Sequence, residues 1–358
     1  MNAPFRPAAL RVSTANLHDP TELRRIEGFL HRHPSATVFH RPVWLLATAS
    51  GTGNRAHALV AERDGELTAY LPLTEIHSPL FGRMLASSGF AVGGGLLVEA
   101  PKQATAMFAA LEELALRLSC PAIELRGGML PLRRAGWSIQ QDSHCGFVQP
   151  LAADDAAQVT QIPRKQRAEV RKGLAADLTI TVGTNLGDRL AHYAVYAESV
   201  RNLGTPVFPV ALFGAVLDTF GDAADILTVW SGTHPVASVL SLYHDGAVLP
   251  YWGGGTHAAR HLRANDRMYY ELMLHARRRG CSQFDFGRSK TNSGAYDFKR
   301  NWGFDPEPLS YARWTAPGAA ARDADPTSAR HSARIAVWKR LPLRLTNLIG
   351  PLISRGLG

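Results

Sequence analysis

The two halves of this sequence show the same series of patterns, and this internal repeat constrains the fold more than composition does. Segments 57–73 and 225–243 each contain two apolar runs around a glycine-containing turn, which predicts a β-hairpin in each half. A further apolar strand pattern in each half leads to a glycine triplet, Gly93–Gly95 in the first half and Gly253–Gly255 in the second.

A helical segment and a strand that begins with cysteine complete each copy. Segments 103–119 and 265–280 are predicted helices, and strands are predicted to begin at Cys120 and Cys281. The glycine triplets lie 160 positions apart and the two cysteines 161. We therefore expect a tandem duplication of an α+β domain with a mixed sheet and the element order β-β-β-α-β.

The length of the chain agrees with two domains, because 358 residues exceed what one ordinary core holds. Residues 1–150 are the expected first domain and residues 151–315 the expected second domain. Residues 316–358 are expected to form a linker and a basic amphipathic tail. The linker is predicted from the small-residue and Pro-rich composition of 316–332.

Composition predicts a folded protein of the cytoplasm. Hydrophobic residues make up 46% of the chain and charged residues 19%. No run of 18 uncharged apolar residues occurs, and the first residues lack an apolar core before a cleavage site. We therefore expect neither a membrane-spanning helix nor a signal peptide. The three cysteines form no CxxC pair, which is typical of a reducing compartment.

Basic residues are concentrated in two segments of a chain whose net charge is +9. Residues 163–174 form one cluster, and residues 326–358 carry six basic residues and no acidic one. Such clusters suit nucleic acid, phosphorylated substrates or anionic lipid, and composition does not choose among them.

The tail, residues 333–358, combines apolar and basic residues in a way that fits two structures equally well. One is a helix lying at an anionic membrane surface, which would make the protein peripheral at the inner face of the cytoplasmic membrane. The other is a helix that packs on the domain core. Pro342 and Pro351 are predicted to divide the tail into short helical pieces.

Several catalytic motifs are absent from the sequence. It contains no GxSxG, HExxH or Walker A segment. His257 and His261 are four residues apart, but no Glu or third ligand accompanies them. We therefore expect no metal site.

Polar residues follow the last strand of the second copy. Asp285, Arg288 and Ser289 lie where that strand ends, a common location for ligands in sheets flanked by helices. Asp285 is a candidate general base, or a residue that orients the attacking group. The first copy has Glu124 and Arg126 at the matching place, so a structural pairing of acid and arginine explains both copies equally.

The second glycine triplet precedes a predicted helix. Gly253 and Gly254 fit a strand bulge or tight turn, and they also fit a place where backbone N–H groups approach a ligand. Asn265 and Asp266 are predicted to cap the helix, whose positive end would face the same loop.

The basic segment 163–174 is predicted to be a helix with three arginines on one face. The residues concerned are Arg164, Arg167 and Arg171, with Lys165 and Lys172 beside them. A solvated face is the simple interpretation. Phosphate binding is the functional one, because guanidinium groups contact diphosphates in a bidentate manner.

Six segments resemble the FemAB group, and most closely the FemAB-like proteins that accompany exosortase (PEP-CTERM) and exopolysaccharide systems. They are "PRKQRAEVRKGL" (163–174), "ESVRNLGTPVFP" (198–209), "LPYWGGG" (249–255), "RANDRMYYELM" (263–273), "FDFGRSKTNSGAYDFKRNWGF" (284–304) and "LIGPLISRGLG" (348–358). The resemblance implies two tandem domains of the acetyltransferase (GNAT) fold and transfer of an acyl or aminoacyl group to an amine or hydroxyl.

The resemblance also implies a catalytic lysine in the second copy. The segment "DFKRNWGF" places Lys299 where the FemAB group has a lysine that stabilises developing charge or donor phosphate, and Trp302 stands where the group has Phe. Tyr296 is expected to contact a sugar or base, or to pack in the core. Substrate or donor contacts are implied for Arg164, Lys165, Arg167, Arg171, Tyr251, Gly253, Gly254, Arg263, Asn265, Arg288, Ser289, Tyr296 and Trp302.

The donor implied by the resemblance is aminoacyl-tRNA or acyl-CoA, with no tightly bound cofactor. Segment 259–266 has arginines but lacks the glycine-rich turn of acyl-CoA users, which favours aminoacyl-tRNA or another large activated donor without excluding acyl-CoA. The implied acceptor is a lipid-linked or nucleotide-linked glycan of the cell envelope or an exopolysaccharide, and DNA is not expected. A different class remains open: a non-catalytic tandem module that binds a polyanion such as tRNA, or a partner in polysaccharide biosynthesis.

Overall fold

A computed structural model describes residues 9–79, 81–320 and 332–358. The chain divides into two compact units. Unit 1 takes its described residues from Met1–Gln141, Ser310–Ala324 and Arg355–Gly358. Unit 2 takes them from Asp142–Leu309 and Asp325–Ser354.

The strands of the described residues are β1 (Arg11–Thr14), β2 (Arg55–Arg63), β3 (Glu66–Ser78), β4 (Gly82–Ser87), β5 (Leu97–Val98), β6 (Ala122–Arg126), β7 (Trp137–Gln140), β8 (His144–Gly146), β9 (Val148–Pro150), β10 (Thr179–Gly183), β11 (Ala224–Ser231), β12 (His234–His244), β13 (Ala247–Gly255), β14 (Gln283–Asp285), β15 (Ser289–Lys290), β16 (Glu307–Pro308) and β17 (Tyr311–Thr315). The helices are α1 (Pro20–Arg32), α2 (Pro42–Thr52), α3 (Ala104–Arg117), α4 (Asp155–Gln161), α5 (Arg164–Ala175), α6 (Leu186–Leu203), α7 (Val210–Phe220), α8 (Ala259–Leu262), α9 (Ala264–Arg278), α10 (Gly294–Asn301), α11 (Ser332–Trp338) and α12 (Leu343–Ser354).

Unit 1 is built on one sheet with the strand order β1-β2-β3-β4-β6-β17-β7, with β5 beside β3. Strands β4 and β6 are parallel, and the other neighbours are antiparallel. Alternate residues of β2 face opposite sides, as the two-residue period of a strand requires. Leu59 packs in the cluster that contains Leu111 of α3, and Val60 packs with Phe29 of α1 and Leu45 of α2.

Unit 2 has a sheet with the order β10-β11-β12-β13-β14-β9 and a small sheet with the order β15-β8-β16. Strands β13 and β14 are parallel, and the neighbours of the large sheet are otherwise antiparallel. One face of the large sheet packs Val239 against Met268 and Leu272 of α9. Ser238, the next residue along β12, hydrogen-bonds to His192 of α6, so α6 covers the opposite face.

The predicted repeat and the α+β fold class are confirmed. The hairpin of β2 and β3 corresponds to that of β11 and β12, helix α3 corresponds to α9, and a parallel pair of strands flanks each helix. The glycine triplets differ in structure, however. Gly253–Gly255 ends β13, whereas β4 ends at Ser87, before Gly93 is reached.

Two short strands belong to the sheet of the other half of the sequence. Strand β9 lies within residues 1–150 but pairs with β14 of unit 2. Strand β17 lies within residues 151–315 but pairs with β6 and β7 of unit 1. Each sheet is therefore completed by a strand from outside its own repeat.

Two local predictions were wrong. Asn265 and Asp266 do not cap α9, because the helix already begins at Ala264 after Arg263, which has a left-handed backbone with φ of 54°. Pro351 does not end the tail helix, because α12 continues through it to Ser354. None of the helices in the described residues combines the length and hydropathy needed to cross a membrane.

Candidate active site in unit 2

The parallel strands β13 and β14 separate soon after they pair. They pair only at Ala247 with Gln283 and at Val248 with Phe284. Strand β13 then continues to Gly255, whereas β14 ends at Asp285. Within the described residues no strand pairs with this side of β13 beyond Val248. Backbone N–H and C=O groups along that edge therefore remain available to a ligand that enters between the strands.

The Lys299 side chain lies beside the loop that follows β14. It extends from α10, whose first turn is capped by the Ser293 hydroxyl accepting from Tyr296 N at 3.2 Å. The ammonium donates to the carbonyl oxygens of Gly287 at 3.1 Å and Arg288 at 2.9 Å. An ammonium has three N–H donors, so one remains after these two bonds.

The surroundings of Lys299 are apolar. Its ammonium lies 5.3 Å from the ring centre of Phe147 and 5.8 Å from that of Phe286, and the residue is buried. The pKa of Lys299 is lowered to about 8, mainly by burial; the charge of Asp285 opposes this decrease, and the nearby Arg288 contributes to it. A positive charge is therefore held in a partly dehydrated place.

Asp285 is the last residue of β14, and its carboxylate accepts from Gly287 N at 2.8 Å. Burial raises the pKa of Asp285, while the Gly287 hydrogen bond and the charge of Lys299 act against that increase. In unit 1 the corresponding Glu124 forms ion pairs with Arg126 at 2.9 Å and Arg313 at 3.1 Å. Asp285 forms no ion pair among the described residues, so the two carboxylates differ in their partners.

Gly253 and Gly254 lie inside β13 and allow close packing on both faces of the strand. A Cβ on Gly253 would lie 2.9 Å from the Val239 side chain, and a Cβ on Gly254 would lie 2.2 Å from the Ser199 hydroxyl of α6. Tyr251 precedes them, with its ring centre 4.9 Å from that of the buried Trp252. The glycines thus have a packing role that requires no ligand.

The N-terminus of α9 lies at the glycine end of β13. A Cβ on Gly255 would lie 2.5 Å from Asn265 Oδ1, an atom that is buried and has no hydrogen-bond partner. Arg263 immediately precedes the helix and forms an ion pair with Glu169 of α5 at 2.6 Å. Asp266 accepts from Gln166 at 2.6 Å, and burial raises the pKa of its carboxyl group. A buried oxygen atom that lacks a hydrogen-bond donor and the positive end of a helix therefore lie close together here.

The basic residues of α5 fall into two groups. Lys172 and Arg167 have partners within the chain: Lys172 forms an ion pair with Glu169 at 2.8 Å, and Arg167 donates to the carbonyl oxygens of Thr160 and Ile162 and so caps the end of α4. Arg164, Lys165 and Arg171 are exposed, and the described residues place no carboxylate within ion-pair distance of them. The charges of these three exposed side chains are not offset by an ion pair and can therefore attract an external anion.

Three further predicted site residues lie around the loop and α10. Ser289 pairs with Cys145 in the small sheet, and its hydroxyl is buried without a hydrogen-bond partner. The Tyr296 ring packs edge-on against Phe147 with centres 5.5 Å apart. Trp302 is buried in the aromatic cluster around Phe286, so it lies in the core.

Glu198 is a residue of this region that sequence reasoning left without a role. Its carboxylate accepts from His257 N at 2.8 Å and so fixes the loop between β13 and α8. In the sequence, the one feature that points to Glu198 is its place at the start of segment 198–209, which resembles the FemAB group. His257 and His261 are exposed, and in the described ranges no group of three or more His, Cys, Asp or Glu side chains is placed to hold a metal ion.

Comparisons with known proteins agree with this architecture. The family model of the acetyltransferase (GNAT) domain matches residues 162–300, which include both β13 and Lys299. The chain has two tandem GNAT-like domains. The sequence has no match among curated proteins.

Three solved structures with similar folds match this chain over nearly their whole lengths. FemX is 14% identical, with a TM-score of 0.64, and the match covers 84% of this chain and 96% of FemX. A tandem GNAT protein from the clavulanic acid biosynthesis pathway is 11% identical, with a TM-score of 0.59 and coverage of 87% and 100%. L-PGS from Bacillus licheniformis is 14% identical, with a TM-score of 0.53 and coverage of 93% and 97%.

Proposed function

We propose that unit 2 transfers an acyl or aminoacyl group from an activated donor to an amine or hydroxyl. The observation that carries this proposal is the early separation of β13 and β14, with Lys299 and Asp285 at the end of the shorter strand. The match of residues 162–300 to the acetyltransferase (GNAT) domain supports it.

The proposed reaction is a direct transfer. The acceptor nitrogen or oxygen attacks the donor carbonyl carbon and forms the new bond. The bond to the donor sulfur or ribose oxygen then breaks, and the leaving thiol or ribose hydroxyl carries away the proton that the attacking group gave up. Asp285 takes the proton of the attacking group, a task that its raised pKa favours. The remaining N–H of Lys299 stabilises the oxyanion, which is worth most where water is excluded.

The proposed donor is aminoacyl-tRNA or acyl-CoA, bound through its phosphates near the N-terminus of α9. The positive helix end and the exposed Arg260 support this position. Arg164, Lys165 and Arg171 extend the basic surface along α5, which a long polyanion would use more than a single CoA.

The proposed acceptor is a cell-envelope or exopolysaccharide precursor, lipid-linked or nucleotide-linked. It rests on the FemAB resemblance of segments 249–255 and 284–304, as does a place in an exosortase-associated system. Native mass spectrometry of the protein purified from its own host tests the donor. A CoA adduct supports the acyl-CoA form, and co-purified tRNA supports the aminoacyl form.

Two variants test the chemistry in an assay that measures the transfer of a labelled acyl or aminoacyl group from either donor. Lys299→Ala and Asp285→Asn are each expected to lower the transfer rate by roughly 10²–10³-fold, since oxyanion stabilisation and general base catalysis contribute about that much. Lys102→Ala, an exposed lysine of unit 1, and Glu124→Gln, the matching carboxylate of unit 1, serve as controls that should retain transfer. Transfer at the wild-type rate by both site variants would reject the assignment.

The second candidate function is polyanion binding without catalysis, which the exposed arginines of α5 favour. In that case Arg164→Ala and Arg171→Ala would weaken tRNA binding and reduce its salt dependence, while Lys299→Ala would leave binding unchanged. Label transfer by the wild-type protein would argue against it.

A further inference from the structure

The helix α12 presents two opposite faces. Thr346, Gly350 and Ser354 are its buried residues. Ser354 Oγ donates to the carbonyl of Val207 at 2.8 Å, and a Cβ on Gly350 would lie 3.0 Å from the Val207 side chain. Small side chains thus allow α12 to lie close against unit 2.

The opposite face of α12 is a row of exposed leucines. Leu345 is 41% exposed, Leu348 71% and Leu352 60%. Residues three, four and seven positions apart share one face of an α-helix, and this face lies across the helix from Thr346 and Ser354. An amphipathic helix normally packs its leucines against its own domain. In α12 the small and polar residues face the domain instead, and the leucines face outward.

Basic residues border the leucine face. Arg344 lies within α12 next to Leu345, and Lys339 and Arg340 lie just before the helix; all three are exposed. No Asp or Glu occurs after Asp325, so nothing acidic in this segment offsets their charge. Val337 of α11, 61% exposed, adds a further apolar side chain.

Unit 2 holds this segment in place independently of any membrane. The C-terminal Gly204 of α6 has no room for a side chain, because a Cβ there would lie 2.4 Å from Ile335 of α11. Arg201 donates to the carbonyl of Leu341 at 3.4 Å. The leucine face is therefore preformed, and its exposure does not arise from an undocked tail.

We propose that the exposed leucine face of α12, with Lys339, Arg340 and Arg344, binds the surface of an anionic lipid bilayer. The leucines enter the boundary between headgroups and acyl chains, and the basic side chains contact lipid phosphates. Positive charge beside an apolar face favours an anionic bilayer over a second copy of this chain, because two copies would bring like charges together. The proposal stands independently of the chemistry assigned to unit 2.

Vesicle co-sedimentation of the full-length protein tests the proposal. We expect binding to vesicles of phosphatidylcholine mixed with phosphatidylglycerol, and much weaker binding to phosphatidylcholine alone. The triple variant Leu345→Gln, Leu348→Gln, Leu352→Gln should bind at least about tenfold more weakly. The variant Lys339→Gln, Arg340→Gln, Arg344→Gln should lose the preference for anionic vesicles.

The control is Leu186→Gln, Leu190→Gln, which changes two leucines of α6 that are 72% and 59% exposed. It should sediment like the wild-type protein, and its melting temperature and that of the triple leucine variant should stay near the wild-type value. Absence of wild-type binding to anionic vesicles would overturn the proposal. So would unchanged binding of the triple leucine variant, or a wild-type dimer that becomes a monomer in that variant, because a second copy would then cover the face.

Discussion

At the scale of single residues, the end of β14 concentrates groups whose pKa values burial has changed. Lys299 and Asp285 are both largely buried, and each is held by backbone groups of the Gly287–Arg288 loop. Burial disfavours the charged form of each, so both contribute less to stability than they would in solvent. Glu124 of unit 1 instead has two arginine partners. This difference between the copies is the reason why the active site is proposed in unit 2.

The lowered pKa of Lys299 predicts a pH dependence of stability. The unfolded chain keeps this proton up to the ordinary lysine pKa of 10.5, whereas the folded protein releases it near 8. Between these values the unfolded state binds more protons, so the free energy of unfolding contributed by Lys299 rises as the pH increases. The total rise is roughly 3 kcal/mol.

Urea unfolding of the wild-type protein and of Lys299→Met at about pH 7 and about pH 10.5 measures this rise. Other groups titrate in the same interval, so the relevant quantity is the difference between the two proteins. The variant should become relatively less stable at the higher pH. An equal change in both proteins would show that Lys299 keeps its ordinary pKa.

At the scale of elements, local sequence patterns predicted the helices and long strands well. They did not predict the contacts that these elements make with one another. Hairpins, α3 and α9 follow from apolar periodicity and turn residues over short stretches. The role of Arg167 does not, because its acceptors belong to the end of α4 and depend on how two helices meet. For the same reason Gly254 looked like a turn or ligand contact, although its neighbour is Ser199, distant in sequence.

Gly254 therefore gives a prediction about packing. Gly254→Ala would place its Cβ 2.2 Å from the Ser199 hydroxyl and 2.7 Å from Ser199 Cβ, so α6 must shift. The expected loss in the free energy of unfolding is about 1–3 kcal/mol by urea titration. The matched control is Gly214→Ala in α7, where the nearest atom lies 3.9 Å away and alanine should add roughly 0.5–1 kcal/mol. Equal effects of both substitutions would refute the close approach of α6.

At the scale of the whole molecule, the repeat predicted two domains of the same topology, but it did not predict which strands complete them. Strands β9 and β17 have three and five residues, too few for a periodic pattern to assign a partner sheet. Their pairing depends on edges that only the folded units provide, β14 for the first and β6 with β7 for the second. Unit 1 is thus completed only after the sequence of unit 2 up to Leu309 has been made.

Trp314 of β17 tests this exchange directly. It is 5% exposed within the cluster that contains Leu71 and Leu111 of unit 1, although it follows the second repeat in sequence. Trp314→Ala should cost about 3–5 kcal/mol and reduce the hydrogen-exchange protection of β2 and β3, while β11 and β12 keep theirs. Phe284→Ala in β14, 1% exposed in the core of unit 2, should have the opposite pattern. Loss of protection in β11 and β12 with Trp314→Ala would mean that β17 stabilises the second repeat after all, as its place in the sequence suggests.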